Sequence, residues 1–349
     1  MMEQDIEKYH IDFDTGMGKG TGYFRQIKKY TGNNKKYFDY FRDVYSKNNL
    51  KEITPQKDPK IPKIIHQIWI GDREIPTILK EYQQSWIEHH PDWEYRLWGN
   101  DDLESYIFLN KDLESLFKGP LTLGERVDIL RYDILYQYGG IYADFDCVCL
   151  KSFDPFVHRY DFVVGVSHPM FALQSPAIVL QNCLILTKPE HPIIEKLAQL
   201  LVENWDSIKY KDDEIHTTLI RTFFSITLAF WERANQKGNI DIAMPPSYFF
   251  PLIPYPLIDI VIRNPVEVFR GLFSKEFAPY SSIRDHSFSN HYSSKEWMRG
   301  IYSTLSFKHS VWIALSPKDW LLFLKEKFID SKKQPQGTRQ TLAEFLAQK

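Results

Sequence analysis

Apolar positions follow a helical period near the N-terminus and change to short, strand-like runs after residue 60. Tyr23, Phe24 and Ile27, and then Tyr37, Phe38, Phe41, Val44 and Tyr45, have the spacing of amphipathic helices, with Gly32-Asn33-Asn34 as the break between them. Residues 1–58 read as a helical N-terminal appendage, and the proline- and lysine-rich stretch from Pro55 to Pro62 links it to the main domain. Lys63-Ile64-Ile65-His66-Gln67-Ile68-Trp69-Ile70-Gly71 reads as a buried strand ending at a glycine. Helical periodicity from Pro76 to His89 and a strand from Trp93 to Trp98, closed by Gly99-Asn100-Asp101-Asp102, complete a β-α-β unit. Leu103 to Phe117 is predicted as one further helix, broken at Gly119-Pro120.

The next helix runs from Thr122 to Tyr136, with Val127, Leu130, Ile134 and Tyr138 as its apolar stripe. Gly139-Gly140 ends it with residues that accept a left-handed cap. There follows Ile141-Tyr142-Ala143-Asp144-Phe145-Asp146, read as a strand on which alternation brings Asp144 and Asp146 to one face. Two carboxylates so close repel and raise each other's pKa unless a cation or a row of hydroxyls meets them. Asp128 and Arg131, three apart on the helix, are either an intrahelical ion pair or part of the same site.

Composition narrows the picture a little. At 349 residues the chain can bury a sizeable core, and 43 Lys plus Arg against 45 Asp plus Glu give no support to nucleic acid as the main partner. Cys147, Cys149 and Cys183 are the only cysteines, two of them at strand spacing and not at a zinc or disulfide-framework spacing, which suits a reducing compartment. With no basic-then-apolar start and no long apolar run, the expectation is a cytoplasmic or peripheral-membrane protein, or one exported without a cleaved signal. Aromatic residues make up 15% of the chain, enough to fill a core and to furnish platforms for bases or sugars. Trp69, at the carboxyl end of its strand, could stack on a base or simply fill the core beside a satisfied His66. From Arg25 to Lys51 basic residues outnumber acidic ones. That pair of helices is expected to pack with a solvated basic face, with peripheral membrane or acceptor contact as the alternative.

Three segments in order carry a resemblance: Pro62 to Trp69, Asp128-Ile129-Leu130-Arg131-Tyr132, and Gly139-Gly140-Ile141-Tyr142-Ala143-Asp144-Phe145-Asp146. Together they resemble the DXD-containing glycosyltransferases typified by yeast initiating mannosyltransferases and bacterial capsule sugar transferases. The DXD core is similar to that of the clostridial glucosylating toxins. Downstream, Leu180-Gln181-Asn182-Cys183, Lys188-Pro189-Glu190-His191-Pro192, Met244 to Leu252 and Ser289 to Trp297 resemble later elements of the family. The last departs from it in spacing, Val127 stands where the family has Ser, and a family "TGP" is absent from Thr217 to Thr227.

The resemblance implies an α/β, GT-A type, Rossmann-like nucleotide-sugar domain with added helical segments. Its span would be 59–300, with an insertion near 255–286 and a helical C-terminal extension at 301–349. It further implies a UDP- or GDP-hexose donor, Mn2+ or Mg2+, and transfer with retention to a glycan, lipid or protein. Asp146 would bind the ion directly, while Asp144 would bond ribose and sugar hydroxyls or share the ion through water. Asp128 and Arg131 would hold donor hydroxyls, and His66, Gln67 and Trp69 the base. Asn182 would lie near the donor. His291, Ser293 and Ser294 are the alternatives for closing the metal shell, with Trp297 covering the diphosphate.

Two rivals come from other classes. Asp144-Phe145-Asp146-Cys147-Val148 fits the pattern of phosphohydrolases that form an aspartyl-phosphate, with Lys211 and Asp212-Asp213 as later partners. A non-catalytic carbohydrate-binding protein is the other.

Overall fold

The structure is a computed structural model that describes residues 6–291 except 20–23, 25–26, 28–31, 120, 168–177, 208–213 and 251–284. The expected extension at 301–349, nearly all of the expected insertion at 255–286, and Lys211, Asp212, Asp213, Ser293, Ser294 and Trp297 lie outside the described residues.

The described strands are β1 (Ile64–Ile68), β2 (Glu94–Trp98), β3 (Gly140–Ala143), β4 (Cys147–Cys149), β5 (Phe162–Val166), β6 (Leu180–Thr187), β7 (Asp241–Met244) and β8 (Ser289–His291). Six of them form one sheet in the order β2-β1-β3-β6-β5-β7. All run in one direction except β6, which is antiparallel to both β3 and β5. The fold is therefore α/β with a mostly parallel sheet. Strands of such a sheet are covered on both faces, and β5 and β6 are buried along their whole length, as their Val- and Leu-rich runs require. The β-α-β unit is present, with the Thr77–His89 helix as its crossover. That helix also supports the small β4–β8 sheet: Trp86 Nε1 donates to the Cys147 carbonyl (2.8 Å), and Ser85 Oγ accepts from the Cys149 amide (2.9 Å).

The N-terminal segment is built into this core. On the Gly32–Asn48 helix, Tyr37, Phe38, Phe41, Val44 and Tyr45 are buried in the same hydrophobic cluster as the sheet, and Phe41 meets Phe230 edge to face at 5.8 Å. Gly32-Asn33-Asn34 forms the first turn of this helix, not a break before it. Its outer face carries i,i+4 pairs, Lys35 with Asp39 and Lys47 with Asp43. The aromatic face is thus spent on the domain, and what faces solvent is charged. Among the described residues no helix is long and apolar enough to cross a membrane.

Two local expectations are corrected. Leu103–Phe117 is not one helix but the end of one, Asn100–Ser105, and the whole of another, Lys111–Phe117. Buried Asp133 accepts from the Leu109 amide (3.2 Å), the Asn110 amide (2.8 Å) and the Tyr106 hydroxyl (2.8 Å), and these bonds hold the chain non-helical between them. Asn110 then caps the second helix. The other correction concerns the acid pair. β3 stops at Ala143, and Asp144-Phe145-Asp146 turns, with the Cys147 amide donating to the Asp144 carbonyl (3.0 Å).

Candidate active site

The Leu123–Tyr138 helix starts at a capping box in which Thr122 Oγ1 accepts from the Glu125 amide (3.2 Å) and Glu125 accepts from the Thr122 amide (3.0 Å). The other Glu125 oxygen takes Arg221 Nη1 at 2.7 Å in a buried pair. One turn on, Asp128 and Arg131 face the sheet. At the far end Gly139 and Gly140 have φ of +62° and +91°, and a Cβ on Gly140 would lie 2.5 Å from the Ile64 carbonyl oxygen. Only glycine lets the helix turn so sharply into β3 beside β1.

Arg131 is the hub. Its Nη2 lies 2.9 Å from Asp144 Oδ1, 3.0 Å from Asp128 Oδ1 and 3.2 Å from the Tyr142 hydroxyl, and its Nη1 donates to the Asn182 carbonyl at 2.6 Å. The guanidinium stacks 4.1 Å from the Tyr142 ring centroid, and Tyr142 donates to Asp144 Oδ1 at 2.7 Å. Asn182 Nδ2 completes the set by donating to Asp128 Oδ1 (3.1 Å) and the Tyr132 hydroxyl (3.2 Å). One buried cation thus serves two carboxylates. Burial, opposed by Arg131 and assisted by Asp144, pushes the Asp128 carboxyl up to about 7. Burial also lifts Asp144, against the pull of Arg131 and with repulsion from Asp146.

β8 brings His291 into this edge by pairing with β4 in antiparallel register, Cys147 opposite His291. His291 Nε2 lies 3.0 Å from Asp146 Oδ1. One ligand atom from each of Asp144, Asp146 and His291 falls within a common span of 4.8 Å. Their side chains are 26%, 13% and 15% exposed, so the group opens to solvent while Arg131 beneath it is 3% exposed. Two carboxylate oxygens and one imidazole nitrogen are a donor set that fits a first-row divalent ion such as Mn2+.

The carboxyl ends of β1 and β3 lie side by side where the chain winds in opposite senses, the usual ligand crevice of an open α/β sheet. Trp69 is placed there, its ring 5.2 Å from Phe145 and edge-on to it, with Nε1 donating to the Arg73 carbonyl at 2.7 Å. His66 and Gln67, consecutive on β1 and so on opposite faces, are both bonded within the fold. His66 is fully buried, with Nε2 2.9 Å from the Gly139 carbonyl and Nδ1 accepting from Trp98 Nε1 at 3.2 Å. Gln67 donates to the carbonyls of Ala143 and Asp144 (both 3.3 Å) and accepts from the Tyr95 hydroxyl (2.7 Å). Their side chains are bonded across the β1–β3 junction, whereas the Trp69 indole lies against Phe145 at the crevice. Sequence reasoning missed Tyr142, Tyr95 and the Glu125–Arg221 pair. Tyr142 had a signal in its i,i+2 spacing to Asp144, whereas Arg221 had none, being 96 residues from its partner.

Residues 76–163 match the family described as "Glycosyltransferase sugar-binding region containing DXD motif". Inositol phosphoceramide mannosyltransferase 2 of Schizosaccharomyces pombe is 29% identical over 55% of this chain and 51% of its own length. Inositol phosphoceramide mannosyltransferase 3 of the same yeast is 41% identical over 33% of this chain and 32% of its own length. The chain therefore spans about half or less of these curated relatives. Among solved structures, the catalytic domain of alpha-toxin from Clostridium novyi aligns over 66% of this chain and 78% of that one, at 12% identity and a TM-score of 0.36. The matched residues 76–163 include Asp128, Arg131, Asp144 and Asp146, so the family likeness falls on the segment that carries the site.

Proposed function

We propose that this chain is a metal-dependent, retaining glycosyltransferase that moves a hexose from a UDP- or GDP-sugar to a glycan, lipid or protein acceptor. The observation that carries the reading is the convergence of Asp144, Asp146 and His291 within 4.8 Å beside the β1–β3 crevice. The names of the relatives favour mannose as the hexose and an inositol phosphoceramide-like lipid as the acceptor.

In this reading Asp146 and His291 hold the divalent ion and Asp144 orients towards it, with Ser293 or Ser294 and Trp297, outside the described residues, completing the shell and cover. Once bound, the ion supplies a Lewis acid for the charge that develops on the departing diphosphate. Arg131 fixes Asp144 and Asp128 from below. Asp128, kept partly protonated near neutrality and bonded to Asn182, offers both donor and acceptor capacity to sugar hydroxyls. Trp69 presents an indole to the base. The Asn182 amide is engaged with Asp128 and Tyr132 and offers no nucleophile. Retention is then assigned to front-face substitution, in which the acceptor hydroxyl is deprotonated by the leaving diphosphate.

The test is incubation with a panel of UDP- and GDP-sugars and Mn2+ or Mg2+, following release of free sugar and nucleotide. Slow, chelator-sensitive hydrolysis of one donor is expected. Cleavage of phosphomonoesters with no nucleotide-sugar bound or hydrolysed would overturn the proposal in favour of an aspartyl-phosphate enzyme.

A further inference from the structure

Beside the carboxylate site lies a second cluster, whose two thiols the proposed chemistry does not use. One ligand atom from each of Cys147, Cys183 and His291 falls within 4.8 Å of the others, and both cysteines are buried and free of disulfides. The cluster is fixed by two ladders. Cys147 stands opposite His291 in the β4–β8 pair, and directly opposed residues point to the same side of a sheet. Cys183 is brought in by β6, whose residue Leu184 pairs with Ala143 and whose Cys183 carbonyl accepts from the Asp144 amide at 2.8 Å. The Cys147 thiol in turn points at that same carbonyl, 3.8 Å away.

We infer that Cys147, Cys183 and His291 form a site for a thiophilic divalent ion such as Zn2+, distinct from the DXD site and sharing His291 with it. Zinc bonds of about 2.3 Å to sulfur and 2.0 Å to nitrogen place tetrahedral ligands roughly 3.5–3.8 Å apart, so the three groups need to close by no more than about 1.3 Å. Two thiolates and an imidazole select a soft ion, whereas two carboxylates and an imidazole accept a harder one. Binding breaks two S–H bonds, forms two S–Zn bonds and releases two protons to solvent. Asp146, 3.0 Å from the same imidazole, or a water takes the fourth position. Entry is assigned to the partly exposed Asp146–His291 side, since both thiols are buried. Because His291 serves one ion at a time, occupancy of the sulfur site withdraws a ligand from the carboxylate site.

The direct test uses Co2+ as the probe, titrated into the whole protein under a non-thiol reductant. A thiolate-to-cobalt charge-transfer band saturating at one ion per chain, bleached by Zn2+ and accompanied by release of two protons, is expected. The band should vanish in Cys147→Ala and in Cys183→Ala and persist in Asp144→Asn. A titration that gives no such band in the wild-type protein, or a band that survives both cysteine substitutions, overturns the site. This readout does not depend on glycosyl transfer, so it stands or fails separately from the proposed function. The antagonism does rest on that function: Zn2+ should raise the Mn2+ concentration needed for half-maximal donor hydrolysis by at least about tenfold in the wild type. In Cys183→Ala the shift should be lost. An equal shift in both would show Zn2+ acting at the carboxylates alone and would remove the competition from the inference.

Discussion

Arg131 Nη2 lies 2.9 Å from Asp144 Oδ1, and the same nitrogen is 3.0 Å from Asp128 Oδ1. The first acid of the DXD turn is therefore tied to the helix that precedes it. Removing Arg131 leaves buried Asp128 and partly exposed Asp144 with no cation beneath them, a loss of up to about 3–5 kcal/mol, the range for breaking a buried pair. Arg131→Met should lower the urea midpoint accordingly, and adding Asp144→Asn should recover part of the loss. Strict additivity in this double-mutant cycle would mean that the two residues do not act as a pair.

Asp146 makes a different prediction, because it pairs with His291 at the open edge of the site. Asp146→Asn should abolish metal-dependent donor turnover while leaving the circular dichroism spectrum and unfolding midpoint close to wild type. His291→Ala should weaken apparent Mn2+ affinity by at least on the order of 100-fold, above the usual effect of an outer-shell change. Turnover undiminished in Asp146→Asn would move the metal site elsewhere.

How much of this was legible in the sequence varies with the range of the interactions involved. The β1-helix-β2 unit, the Leu123–Tyr138 helix and the Gly139-Gly140 stop could be read because local spacing and glycine conformation determine them. The split at Tyr106–Asn110 could not, since the bonds that cause it come from Asp133, on another helix. The acid pair was read from its spacing after the glycine stop and tied to a function by a resemblance, but the reason given for its common face, strand alternation, does not hold at a turn. The buried thiol cluster was passed over for a related reason. Cys147 and Cys183 are 36 residues apart, and only pairing of β3 with β6 and of β4 with β8 brings them to His291.

His66 gives a pH prediction. Trp98 Nε1 can only donate, so His66 Nδ1 accepts and the proton sits on Nε2, directed at the Gly139 carbonyl. Burial holds this imidazole down to about 4, from an ordinary value of 6.5. Between those values the unfolded chain binds the proton and the folded one does not, so stability is full above about pH 6.5 and is lost as pH falls towards 4. His90, buried and also lowered to about 4, adds a parallel loss. His66→Leu should be less stable at pH 7.5 through its lost hydrogen bonds, yet should lose less on acidification to pH 5 than the wild type. Urea midpoints at the two pH values decide it, and an unchanged pH slope would count against a neutral, buried His66.

Gly140 tests whether the helix-to-strand turn positions the site as well as closing the fold. Its φ of +91° is costly for any other residue, and an added Cβ would meet the Ile64 carbonyl oxygen at 2.5 Å and His66 Nε2 at 3.2 Å. The Ile64 oxygen is backbone of the neighbouring strand and cannot step aside without moving β1. Gly140→Ala is therefore expected to destabilise by about 2–4 kcal/mol, combining steric overlap with strain in φ. The shift of β3 against β1 would also carry Asp144 away from Arg131, since one lies four residues after Gly140 and the other on the helix before it. Turnover measured well below the unfolding transition should fall by more than the unfolded fraction explains. Gly238→Ala is the control: its φ is also positive, at +80°, but nothing lies within 4 Å of the added Cβ. That variant should cost some stability and leave turnover unchanged. Equal losses of turnover in the two variants would show that backbone strain alone, and not the seating of β3 on β1, accounts for the effect at Gly140.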